Sequence, residues 1–102
     1  MLYMAIFDAK EDTTMQDITR EREEWFRMGK DKLFRELCHK IDRYEIVGKS
    51  PLRIIFIIDT DNPRALNMLS RHFGNEWISR SYPALHRELY DAMEEDKSII
   101  GG

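Results

Sequence analysis

Two stretches of the chain are apolar on both faces of a predicted strand. Side chains alternate between the two faces of a strand, and residues 2–7 and 52–58 carry mostly apolar side chains at both odd and even positions. In the second stretch the two faces comprise Leu52, Ile54, Phe56 and Ile58 on one side and Ile55 and Ile57 on the other. Strands of this kind need cover on both sides. The pattern therefore predicts that the two stretches form the centre of a sheet.

A long helical pattern separates these two strands. Thr13 and Gln16 have the spacing of a helix N-terminal capping box, and apolar residues then recur at helical spacings from about residue 14 to residue 40. The recurring residues are Ile18, Trp25, Phe26, Leu33, Leu37 and Ile41. Gly29 interrupts the pattern and predicts a kink or a break.

The remaining segments predict two more strands and two more helices. A short strand is expected at residues 44–47 and another at 76–82. The Asn62-Pro63 pair predicts the start of a helix, with Asn62 as the N-cap and Pro63 at the first helical position. An amphipathic helix is expected from Leu85 to Met93, and residues 98–102 are expected to form a flexible tail.

The predicted order is β-α-β-β-α-β followed by a helix, which is the order of an α+β, ferredoxin-like fold. Its four-stranded antiparallel sheet carries both main helices on one face and leaves the other face bare. We expect one domain over residues 1–97. A bare apolar face would be a liability in a single copy, so the chain is predicted to form a homodimer or a higher homo-oligomer. The sequence does not decide whether Ile55 and Ile57 or the opposite set lies in the interface.

Three segments of the chain resemble a known group of proteins. They are Met1-Leu2-Tyr3, the stretch from Tyr44 to Gly48, and Phe56-Ile57-Ile58-Asp59 followed by residues 62–66. The chain resembles the dimeric α+β barrel superfamily, most closely its small muconolactone-isomerase-type members and related uncharacterised proteins. The resemblance implies a barrel dimer with a ligand cleft between sheet and helices. Residues 30–43 and the segment after Pro83 are more helical than that pattern.

Composition and charge exclude several classes of function. The formal net charge is −3, and Lys and Arg alternate with Glu and Asp, as in residues 20–24. A partner nucleic acid would need a clustered basic surface, so none is predicted. No stretch reaches the roughly 20 apolar residues of a membrane span. The one cysteine, Cys38, rules out an intrachain disulfide and favours a cytoplasmic location.

The histidines and the cysteine do not form a recognisable site. His39, His72 and His86 have no metal-ligand spacing among them, and His39 and His72 are expected to face water near helix C-termini. Cys38 lies among apolar residues and is interpreted as a small buried side chain. The sequence predicts neither a metal nor another cofactor.

Ligand-binding residues are predicted on the strands. Arg53 interrupts an apolar strand, and its guanidinium suits bidentate binding of a carboxylate. Tyr3 and Tyr82 are predicted to lie in the same cleft. The alternative for Arg53 is a structural role, either extending to solvent or pairing with Glu45 across a hairpin.

Two functions follow from these patterns. The first is a homodimer that binds a small organic ligand, with isomerase-like acid–base chemistry on a small carboxylate as its enzymatic form. It predicts a partly apolar pocket with convergent polar groups. The second is a non-catalytic accessory or protein-interaction module, which predicts a packed core with no pocket beyond small voids and a further exposed apolar patch. The final Gly101-Gly102 resembles the end of a ubiquitin-like carrier, but the predicted strand-to-helix start does not fit that class.

Overall fold

The chain folds into one four-stranded antiparallel sheet with helices on one side. The computed structural model describes residues 1–101. The elements are β1 (Leu2–Ala9), α1 (Met15–Arg27), α2 (Lys30–Glu36), β2 (Lys40–Glu45), β3 (Arg53–Asp59), α3 (Arg64–His72), β4 (Trp77–Ala84) and α4 (Leu89–Ile100). The strand order is β2-β3-β1-β4. This order and connectivity are those of the predicted α+β, ferredoxin-like fold.

The two central strands, β1 and β3, pair along their full length, from Leu2 opposite Asp59 to Asp8 opposite Arg53. One face of the sheet, here called the covered face, packs against the helices. Its buried core comprises Ala5, Phe7, Ile54, Ile58 and Trp77 of the strands together with Ile18, Trp25, Phe34, Ala65 and Leu69 of the helices. Ile58 is fully buried. Burial of these side chains provides the main driving force for folding.

The opposite face of the sheet, here called the outer face, carries no helix within residues 1–101. Its central residues are Met4, Ile6, Ile55 and Ile57. Ile6 lies opposite Ile55, and Met4 lies opposite Ile57. These four side chains are half-buried by their neighbours on the strands. The outer face is therefore the apolar side that the double-faced pattern of the central strands predicted.

The long helix predicted up to residue 40 is two helices. α1 ends at Arg27, and Gly29 adopts a left-handed conformation with φ of +70° before α2 begins. Only glycine takes this conformation readily, so the break is fixed by the residue that the sequence marked. The cap is one residue later than predicted. Thr14 caps α1 with Asp17 as its partner.

Strand β2 begins at Lys40, four residues earlier than predicted. Its pairing with β3 starts with Lys40 opposite Asp59 and puts Ile41 opposite Ile58. Ile41 is thus apolar because it faces the covered side of a strand. Its spacing from Leu37 happens to continue the helical pattern, which is why the sequence placed it in a helix.

The last helix, α4, projects from the rest of the molecule. It starts at Leu89 rather than at the predicted Leu85. All of its residues lie within the described part of the chain, and none of them is buried. The radius of gyration is 16.6 Å, against about 13 Å for a compact chain of this length. Residues 98–100 continue α4, and Gly102 lies outside the described residues, so the flexible tail at 98–102 stays a prediction. Within residues 1–101 no helix is long and apolar enough to cross a bilayer.

Candidate functional site

A cavity of about 360 Å³ lies between the covered face of the sheet and the helices. We call it the aromatic cavity, because half of the residues that line it are aromatic. The rings belong to Phe7, Trp25, Phe26, Phe34, Phe56, Phe73 and Trp77. Both tryptophans of the chain therefore line it. Its position agrees with the cleft between sheet and helices that the resemblance implied.

Trp25 is the centre of this wall and is held in place from two sides. Its ring packs against Phe34 and Phe73 with centroid distances of 5.7 and 5.4 Å. Its indole Nε1 donates a hydrogen bond of 3.0 Å to Asp31 Oδ1, and Arg35 Nε donates one of 2.9 Å to Asp31 Oδ2. The break at Gly29 turns the chain so that Asp31 meets a side chain six residues earlier. The cavity wall is thus fixed before any ligand binds.

One edge of the aromatic cavity is formed by arginine side chains from α1 and β2. Arg43 Nη2 donates a 3.0 Å hydrogen bond to Glu45 Oε1. Arg22 Nη2 lies 3.6 Å from the same oxygen, which is too long for a hydrogen bond. Within residues 1–101 this shielded nitrogen has no hydrogen-bond partner. Burial and the nearby Arg43 guanidinium lower the pKa of Arg22.

A second unsatisfied polar group lies under α1, outside the cavity wall. The Glu21 side chain is buried, with 7% of the residue exposed, and its Oε1 has no partner among the described residues. Burial and the neighbouring Glu76 carboxylate raise the pKa of Glu21 from 4.5 to about 7. The charged stretch of residues 20–24 gave no sign that Glu21 and Arg22 differ from the exposed charges beside them.

Arg53, the strongest ligand candidate from the sequence, lies on the outer face of the sheet. Its Nε and Nη2 donate to the two carboxylate oxygens of Asp8 at 2.7 and 3.0 Å. Lys49 and Arg80 also approach Asp8, at 3.7 and 3.5 Å. The alternative pairing of Arg53 with Glu45 is wrong, because the sheet register places Asp8 beside Arg53 and Glu45 binds Arg43. The Arg53 hydrogen bonds, which outweigh the effect of burial, lower the pKa of Asp8.

The three predicted ligand residues do not converge in the structure. Tyr82 lies opposite Met4 on the outer face, where Arg53 also lies. Tyr3 lies opposite Ile58 on the covered face. None of the three lines the aromatic cavity of the described chain. Their role in ligand binding stays a prediction.

His72 does not face water as predicted. It is half-buried, and its Nε2 donates a 2.8 Å hydrogen bond to the backbone carbonyl of Glu21. Its Nδ1 then accepts a 2.9 Å hydrogen bond from Lys30 Nζ, a tautomer that we assign from these partners. The ring packs against Trp25 at a centroid distance of 5.2 Å. His72 therefore supports the wall of the aromatic cavity from behind.

His39 and Cys38 lie at the end of α2, away from the aromatic cavity. His39 is exposed and pairs with Asp61 at 2.7 Å. Cys38 is half-buried against the core, and this burial raises the pKa of its thiol. Within the described range, no group of three or more His, Cys, Asp or Glu side chains is placed to hold a metal ion.

Comparison with known proteins adds little to this description. No family model matches the chain, and no curated protein matches it. Among solved structures, an antibiotic biosynthesis monooxygenase has 16% identity and a TM-score of 0.46, covering 84% of this chain and all of its own. The protein At3g17210 from Arabidopsis thaliana has 10% identity and a TM-score of 0.47, covering 87% of this chain and all of its own. Neither likeness bears on activity.

Proposed function

We propose that this protein binds a small organic molecule in the aromatic cavity. The observation that supports the proposal is a preformed cavity of about 360 Å³ with an aromatic wall and charged groups along one edge. Binding sites for small molecules typically have volumes of about 300–1,000 Å³ and combine apolar walls with a few polar groups. Trp25, fixed by Asp31 and two neighbouring rings, would meet the ligand without rearrangement.

The experiment is a ligand screen read out by the protein itself. Small aromatic and aliphatic acids, amides and alcohols are titrated while the two indole N–H signals of Trp25 and Trp77 are followed by NMR. We expect saturable shifts with at least one compound. Ile41→Phe, which adds a ring inside the cavity wall, should weaken that binding at least tenfold. Val47→Phe is the matched control, because Val47 is 97% exposed and lies outside the wall. Equal binding by both variants would overturn the proposal.

An isomerase-like activity is the enzymatic form of the same proposal. It needs a proton carrier at the ligand, and Asp31 is the one carboxylate among the described residues of the cavity wall. Asp31→Asn should then abolish turnover of any isomerised ligand, while ligand binding persists. A muconolactone-type lactone is the first compound to assay. Turnover that survives in Asp31→Asn would exclude this role.

We also propose that the protein acts as a homodimer joined through the outer face. The central outer-face residues, Met4, Ile6, Ile55 and Ile57, are apolar, and an apolar face of this kind favours association. The projecting α4 leaves further apolar side chains exposed, among them Leu89 and Ile100. A second copy would cover both surfaces at once. Light scattering should give about twice the mass of one chain, and Ile55→Lys should reduce the measured mass to that of a single chain.

The alternative function is a non-catalytic accessory module, and α4 is the observation that favours it. Its apolar side chains remain exposed in the single chain and suit a groove on another protein. In that case no compound in the screen would bind, and deletion of residues 89–102 would leave self-association unchanged. A cytoplasmic location stays a prediction from the single cysteine.

A further inference from the structure

The charged side chains at the edge of the aromatic cavity carry more positive than negative charge. Three guanidinium groups line the cavity, those of Arg22, Arg35 and Arg43. Two carboxylates face them. Asp31 is taken up by Arg35 at 2.9 Å, and Glu45 is hydrogen-bonded to Arg43 at 3.0 Å. One positive charge, that of Arg22, is left without a carboxylate of its own.

Resting on the proposed ligand cavity, we propose that its ligand is an aromatic carboxylic acid whose carboxylate binds to Arg22 and whose ring lies against Trp25. The shielded Nη2 of Arg22 is a charged donor that no hydrogen bond satisfies within residues 1–101. A buried donor in this state is costly, and a charged one more so. Glu45 Oε1 already lies between Arg22 and Arg43, so the ligand carboxylate satisfies Arg22 by drawing its side chain from Glu45 towards the cavity.

The position of Arg22 orients the ligand. Arg22 lines the cavity with about one third of its side chain, 35%, exposed, whereas Trp25, one turn later on α1, is buried. A ligand would therefore enter ring first and leave its carboxylate at the mouth. Burial and the neighbouring Arg43 guanidinium lower the pKa of Arg22, and the Glu45 carboxylate offsets them only in part.

The chemistry of the cavity edge favours a carboxylate over other groups. A neutral amide or alcohol would leave the Arg22 charge uncompensated. A phosphate, with a charge near −2 at neutral pH, would overcompensate the single unmatched guanidinium. A carboxylate carries one charge, and its two oxygens match the fork of a guanidinium.

The test compares each acid with its own neutral amide. 3-Phenylpropionate, 4-phenylbutyrate and 2-naphthoate, together with their amides, are titrated into the protein while the Trp25 and Trp77 indole N–H signals are followed. We expect at least one acid to bind ten times more tightly than its amide. Arg22→Met should remove this preference and leave amide binding within about twofold. Arg27→Met is the matched control, since Arg27 lies on the same helix, is 73% exposed and does not line the cavity.

The outcomes separate this inference from the proposal beneath it. If acids and amides bind equally, or if Arg22→Met weakens both alike, the carboxylate assignment is overturned and the cavity stands. If none of the six compounds shifts either signal at 10 mM, which is about the upper limit of useful affinity, the aromatic-acid assignment is overturned, and the wider ligand screen decides on the cavity. Should Arg22→Met not fold, Arg22→Gln replaces it, and an acid preference that persists in that variant overturns the assignment.

Discussion

The two faces of one sheet have the same apolar strands but different surroundings. On the covered face, Ile58 and Phe7 are buried under helices, and Phe7 lines the aromatic cavity. On the outer face, Ile55 and Ile57 are only half-buried. The central strands carry apolar side chains on both faces, so apolar character alone did not decide which face the helices cover. The difference shows that the identity of a face is set by the helices that pack on it.

The arginines of the two faces differ in the same way. Arg53 on the outer face has two hydrogen bonds to Asp8, so a carboxylate of the same chain balances its charge. Arg22 beside the covered face shares a carboxylate with Arg43 and makes no hydrogen bond to it. An arginine with two hydrogen bonds to its own carboxylate stabilises the structure, whereas one that shares a carboxylate and makes no hydrogen bond to it is the better candidate for binding a ligand. The comparison therefore moves the candidate site from the outer face to the covered one.

The largest expected effect tests the faces directly. Ile58→Ala should lower the free energy of unfolding by about 2–5 kcal/mol, because it opens a hole in a closed core. Ile57→Ala, the neighbouring position on the outer face, should cost less than about 1 kcal/mol in dilute protein. Urea denaturation measures both. A cost for Ile57→Ala that grows with protein concentration would indicate a second copy on the outer face, and equal costs in dilute protein would remove the distinction between the faces.

A medium effect is expected from Glu21, the carboxyl enclosed under α1. Its pKa in the folded protein, about 7, is above the 4.5 of an unburied carboxyl. The folded state therefore binds more protons than the unfolded state between these values, and stability falls as pH rises from about 4.5 to 7. We expect a loss of about 1–3 kcal/mol over this range, measured by urea denaturation at several pH values.

Glu21→Gln supplies the control for this pH dependence. The variant has no group to titrate at that position, so its stability should stay nearly flat over the same range. Glu76→Gln removes the neighbouring charge and should lower the pKa of Glu21 without abolishing the slope. A wild-type protein whose stability rises between pH 5 and 7 would contradict the buried, protonated state of Glu21.

The smallest effect is expected at the rim of the sheet, where His39 and Asp61 pair in the open. The hydrogen bond to Asp61 raises the pKa of His39. Asp61→Asn should lower that pKa towards its ordinary value, which an NMR titration of the imidazole measures. The free energy of unfolding should not change measurably, because exposed ion pairs contribute little. A large loss of stability would mean that this rim belongs to a buried interface.

Much of the fold could be predicted from the sequence, because its strongest signals are local. The double-faced strands and the Asn62-Pro63 start gave β1, β3 and α3, and Gly29 marked the break between α1 and α2. The start of β2 could not be predicted in the same way. Ile41 continues the helical spacing from Leu37, and only its pairing with Ile58 across the sheet identifies it as a strand residue.

The candidate site was harder to predict, because it depends on contacts between distant segments. Arg53 was predicted to bind a ligand because it is the one charge in an apolar strand. Its actual partner, Asp8, is 45 residues away in the sequence. Arg22 is hidden in a run of alternating charges. The environment of Arg22 depends on Arg43 and Glu45, which β2 brings beside α1. No spacing in the sequence indicates that these two segments lie close together.

The strand order has a further consequence for how copies of this protein meet. The two edge strands, β2 and β4, are poor templates for adding another strand. β2 carries Lys40, Asp42, Arg43 and Glu45, and β4 carries Pro83, which lacks a backbone N–H. Charges and proline at sheet edges hinder strand addition. Sideways addition of further strands, which is the first step of fibril growth, is therefore discouraged at both edges of the sheet.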